Sequence, residues 1–245
     1  MKFDGQRFLV IYSGVLTLAF GAAMLSGFSQ ANKKIVVEEL EVQRIKVKEP
    51  DGTLRLLVSN AALAPGIYIK GKEYPHPNRR VAGMIFFNDE GTENGGLIFG
   101  GERGKDGTKQ SFGHLSFDAY EQDQTMALNS QEGKDGRATK LQFTDYPDHS
   151  IVEDIEFMAS LKDLPKDQQD IKKKAYFDKK GKPTRRMRLA RDADGSVVLA
   201  MNDLQGRPRI TMKVADDGTP SLRMLDEKGA VVGELVPKPG SKTGG

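Results

Sequence analysis

The 245-residue chain is 38% hydrophobic and 29% charged, polar overall but with enough apolar content to bury a core. Its 37 basic and 34 acidic side chains give a net charge of +3, without the concentrated basic face that nucleic-acid binding requires. The absence of cysteine excludes disulfides, thiolate catalysis, Cys-ligated zinc and a lipidated cysteine.

Residues 1–7 form a short tail, and 8–28, FLVIYSGVLTLAFGAAMLSGF, then run without a charge. As a helix this stretch would be about 31 Å long, close to the roughly 30 Å hydrocarbon core of a bilayer. Two readings follow. The length favours a retained transmembrane anchor, whereas the small residues of Ser29-Gln30-Ala31 fit cleavage of a signal segment near Ala31 and secretion. Lys/Arg counts on the two flanks barely differ, so the short N-terminal tail sets the expected orientation: N-terminus inside, soluble part extracytoplasmic.

From 35 to 147 the pattern is a β-meander. KEPDGTLRLLVSN (48–60) has an Asp-Gly turn followed by alternating apolar residues, with the strand before the turn out of step by one residue. GMIFF (83–87), GLIFG (96–100), SFGHLSF (111–117), TMALN (125–129) and TKLQF (139–143) follow, separated by Gly/Lys/Asp-rich turns. A basic helical insert is expected over 150–176. Ser150 caps a helix with Ile151, Ile155, Met158 and Leu161 on one face, Pro165 ends it, and a further turn or two runs to Lys174. Eleven Lys/Arg against four Asp between 162 and 188 read as a solvated helix face and linker, or as a contact for anionic headgroups.

Residues 184–236 carry the strongest pattern. RMRLARDADGSVVLAMNDLQG (186–206) superimposes on RITMKVADDGTPSLRMLDEKG (209–229) at an offset of 23, with glycines at 195, 206, 218 and 229. Period-two apolar residues between glycine turns make this a run of β-hairpins, stacked as a solenoid, a barrel or an open sheet. The tail 237–245 is expected to be disordered. The fold class is therefore mainly β: an N-terminal transmembrane helix, then antiparallel meander and hairpin repeats with one helical insert.

MIFFNDEGTENGGLIFGG (84–101), with GHLSFDAYEQDQ (113–124) and the Asp-Gly hairpins, resembles a group of bacterial proteins of unknown function that carry an N-terminal hydrophobic segment. The likeness spans roughly 40–235. It implies no activity and no catalytic residue.

Candidate chemistry is sparse. GGERGKDG (100–107) lacks the hydroxyl and spacing of a phosphate loop, and Asp192-Ala193-Asp194-Gly195 lacks the remaining ligands of a calcium loop. The segment 88–101 is a hairpin turn first. Asp89, Glu90, Glu93 and Asn94 nevertheless crowd its tip, which makes 88–95 a candidate contact for another protein. Of three scattered histidines, His114 shares a strand face with Phe112 and Ser116, and only the fold could pair it with Asp118 or Glu121 as an acid–base couple. No metal or cofactor is expected. Two functions are carried forward: a membrane-anchored, non-catalytic binding or scaffold module, and an enzyme, for example a hydrolase, using acidic residues and His114.

Overall fold

The computed structural model describes residues 5–27, 34–76 and 79–237, with the side chains of 23 and 25–27 outside that set. The proposed cleavage site at Ala31 and all of the tail beyond residue 237 lie outside the described residues. The chain divides into two compact units, Met1–Glu41 and Val42–Gly245.

The first unit contains helix α1, Gly5–Gly27. It reproduces the expected apolar helix, and its large side chains are exposed, Leu18 at 76% among them. Among the described residues, however, no helix is long and apolar enough to cross a membrane. The expected transmembrane span over 8–28 is therefore not supported by the structure beyond the helix itself.

The second unit is built on one antiparallel sheet of twelve strands. These are β1 (Arg44–Lys48), β2 (Leu54–Ser59), β5 (Ala82–Phe87), β6 (Glu93–Arg103), β7 (Lys109–Asp118), β8 (Gln124–Gly133) and β9 (Gly136–Asp145), then β10 (Thr184–Arg191), β11 (Val197–Asn202), β12 (Pro208–Val214), β13 (Pro220–Leu225) and β14 (Val231–Leu235). Spatial order follows chain order from one edge to the other, so the sheet is open, neither barrel nor solenoid. A small hairpin of β3 (Ile67–Ile69) and β4 (Lys72–Tyr74) is inserted before β5. The sequence pattern does not reveal it, because three-residue strands are too short for an alternation to register.

The glycine turns close the hairpins in a repeated way. At Asp192–Ser196 the Asp192 N–H donates to the Ser196 carbonyl and the Gly195 N–H to the Asp192 carbonyl, and the same pair recurs at Ala215–Thr219 and Asp226–Ala230. Gly195 sits at φ +95°, in the left-handed region where a Cβ is strained. The Asp194 carboxylate accepts from the Ser196 N–H at 2.9 Å and hydroxyl at 2.7 Å, and Asp192 is clasped by Arg188 at 2.6 and 2.8 Å. Those oxygens are occupied by turn chemistry rather than aimed at a cation. A register shift between Val47 and Lys48 accounts for the strand that is out of step before Gly52.

Register decides the two faces. Residues directly opposite one another share a face, and one such line crosses the whole sheet. It starts at Ile45, Val58, Met84 and Leu97. It continues through Leu115, Leu128 and Leu141. It ends at Leu189, Leu199, Met212, Leu222 and Leu235. A second line beside it runs from Val47 through Phe86, Phe117, Phe143, Met201 and Ile210 to Met224. Neither line contains a charged residue, and none of these side chains is buried.

The buried strand side chains, Leu54 apart, point to the opposite face: Leu57, Ile85 and Phe87, then Ser116, Ala127, Thr144, Ala190 and Val198. There Tyr68 of the small hairpin joins Leu54, Leu57, Ile85 and Phe87 in the core cluster, its ring edge-on to Phe87 at 5.4 Å between centroids. Each fully buried large apolar side chain contributes about 1.5–3 kcal/mol.

The helical insert is two helices, α2 (Ile151–Ser160) and α3 (Lys166–Lys180). Ser150 caps α2 as expected, accepting from the Val152 N–H at 3.3 Å. The second helix is longer than anticipated, and Pro165 starts it rather than ending the first, which stops at Ser160 with Leu161 as its C-cap: a proline lacking a donor suits a helix N-terminus. Phe157 stacks on Tyr176 at 3.9 Å and Lys180 pairs with Glu153 at 2.5 Å, joining the helices. Lys174 is engaged by Asp178, and the lysine run lies mostly exposed along α3.

Candidate functional site

Two adjoining cavities of about 160 and 250 Å³ open on the face opposite the apolar lines, where the loop before β5 crosses β6, β7 and β8. His76, Arg79, Glu93 and Gln124 line both of them. Ser116 and His114 extend the smaller, and Asp118, Gln122, Asp123 and Ile151 the larger.

Two irregularities in the strands aim this constellation. Phe86 pairs with Gly95 while Phe87 pairs with Glu93, so Asn94 is an extra residue on β6. Without that bulge Glu93 would alternate with Leu97 onto the apolar face. Gly95 permits it: φ is +128°, and a Cβ there would stand 2.2 Å from the Ser116 carbonyl oxygen. On the neighbouring strands Phe117 pairs with Met126 and Asp118 with Gln124, making Thr125 a second extra residue and turning Gln124 to the polar side. The Thr125 hydroxyl donates to the Phe117 carbonyl at 3.1 Å, holding the bulge.

Glu93 is nine-tenths buried and meets Arg79 through two hydrogen bonds of 2.6 and 3.0 Å, while Arg79 also donates to the Gly66 carbonyl at 2.9 Å. This pair pins the loop to the sheet and leaves Arg79 committed. Asp118 has no such partner. Burial, and then the charges of Glu93 and Asp123, push its carboxyl up to about 7, against the pull of Arg79 and a bond from Ser116. Its Oδ1 is buried without a hydrogen-bond partner. Burial also raises the Tyr146 hydroxyl to about 12, with the nearby Asp123 and Asp118 adding to the effect. Burial and the Arg79 charge hold His76 below the ordinary range for an imidazole.

The sequence-derived candidates divide. Glu93, His114 and Asp118 line the cavities. His114 Nδ1 lies 2.7 Å from Asn129 Oδ1. His114 and Asp118 stand four positions apart on one strand, about 13 Å at the usual rise. The acid–base couple considered for them is therefore not formed. Glu121 pairs with Lys70 at 2.5 Å. Asn94 is the bulge. Asp89 and Glu90 stand at the turn Asn88–Thr92, where Asp89 meets Arg55 and Glu90 accepts from the Tyr120 hydroxyl at 2.6 Å.

His76, Arg79 and Asp123 could not have been assembled from the sequence. Two arrive on an aperiodic loop and the third follows a turn in which Glu121, a non-glycine, takes φ +49°. That turn is fixed by the Ile151 N–H, which donates to the Glu121 carbonyl at 2.7 Å. The arrangement can hold a protonated carboxyl near neutrality and offer amide donors beside it. Among the described residues no cluster of three or more His, Asp or Glu is arranged to hold a metal ion. No family model matches the chain, and no curated protein matches it.

Proposed function

We propose that the protein is a non-catalytic binding or scaffold module, held at a membrane by α1 with its sheet extracytoplasmic. The observation that carries this reading is the twelve-stranded sheet crossed on one face by two apolar lines, none of whose side chains is buried. Exposed apolar patches of more than a few hundred Å² mark interaction sites. The exposed apolar side chains of α1 support the anchor, and the alternative is secretion after cleavage near Ala31. The tip at 88–92 is a secondary contact, because the Asp89 side chain is 92% exposed despite its link to Arg55.

A photoreactive residue placed at Leu189 on the apolar face, with Lys213 on the opposite face as control, tests this in native membranes. Protein adducts from Leu189 and none from Lys213 are expected. No adduct at Leu189 removes the binding reading.

A second reading, an acid–base enzyme, is favoured by one observation: the largely buried Asp118, raised to about 7 beside Glu93 in an open cavity. It predicts turnover of some ester, phosphate or glycoside that follows a pKa near 7 and is lost in Asp118→Asn. No turnover across such a panel leaves the cleft a structural feature.

A further inference from the structure

We infer that the apolar face is the packing surface for a second copy of this chain, two sheets closing into a two-layer sandwich. This rests on the binding reading above and names its partner.

Size is the first argument. Twelve strands spaced about 4.8 Å apart make the face about 55 Å wide, and two side-chain lines make it about 14 Å deep. That is roughly 800 Å² per copy, the area each partner buries in a standard stable interface. A sheet with one apolar face is stable as part of two packed layers, and the described residues of this unit place no second layer here.

Composition is the second. Interfaces with a foreign, dissociable partner are about as polar as ordinary surface, whereas obligate dimers resemble a core cut in half. Both lines lack charge from edge to edge, the character of the second class. The two apolar lines are also self-complementary about a twofold axis, because no donor or charge on them must find an opposite. Six of the nine methionines in the chain lie on these lines, among them Met126, Met187, Met212 and Met224. Unbranched thioether side chains can repack against their own kind.

The chain has no cysteine, so single thiols report cleanly. In full-length protein, probed in cell extract before detergent is added, Leu128→Cys near the middle of the face is expected to crosslink to itself through a short bis-maleimide. Lys213→Cys, on the opposite face, is expected to react only as a monomer. Purified wild type should have twice the 27.0 kDa chain mass by light scattering, and Leu128→Glu/Leu189→Glu a single chain mass with unchanged far-UV circular dichroism. A monomeric wild type whose introduced Leu128→Cys thiol reacts freely overturns the second copy while leaving the face open to another protein. A monomer in which that thiol is protected means the chain covers its own face, and both readings fall. A dimer that survives the two glutamates also overturns the inference, placing association at a sheet edge or at α1.

Discussion

Asp118 is where a single residue has the largest foreseeable effect. Its folded-state pKa of about 7 lies above the 3.8 of a free aspartate. Between those values the folded chain holds a proton that the unfolded chain has released. The stability associated with this group is therefore complete below about pH 4 and is lost as pH rises through 7. Asp118→Asn removes the titration. Urea midpoints at pH 4.5, 6 and 8 are expected to show the variant gaining on wild type with rising pH, by on the order of 2–4 kcal/mol in total. An unchanged difference across that range would mean that the carboxyl is solvated. Little of this was legible beforehand: His114 and Asp118 stood out as titratable residues in a strand, but Arg79 and His76 carry no periodic signature.

At the scale of elements the sequence was more informative. Glycines at spacings of eleven and twelve marked hairpin turns, and the structure puts each of them in the left-handed region that a turn demands. The apolar residues paired by the 23-residue repeat, such as Leu199 with Leu222, fall on one face of the sheet. What remained hidden were the bulges at Asn94 and Thr125, since an extra residue changes which face a side chain joins without changing the apolar pattern around it. Glycines in the two settings should therefore differ in what they tolerate. Gly218→Ala at φ +85° meets nothing within 4 Å and should cost about 1 kcal/mol. Gly95→Ala would drive a Cβ into the Ser116 carbonyl, and a loss of about 3 kcal/mol or more is expected. Equal urea midpoints for the two variants would show that the bulge relaxes freely.

For the whole molecule, each strand of the large sheet hydrogen-bonds only to its neighbours in chain order, so stability is close to a sum of adjacent hairpin terms. A chain ending at Asp216, without β13 and β14, is expected to keep slow amide exchange from β5 to β9. Global loss of protection in that truncation would refute the local organisation. The same order has a consequence for synthesis. Every strand of the large sheet after β1 pairs with one already made, so that sheet can grow by addition as the polypeptide leaves the ribosome, with no partner awaited from downstream. Among the described residues the long intervals fall at β3–β4, which delays the meeting of β2 with β5, and at the two helices that separate β9 from β10.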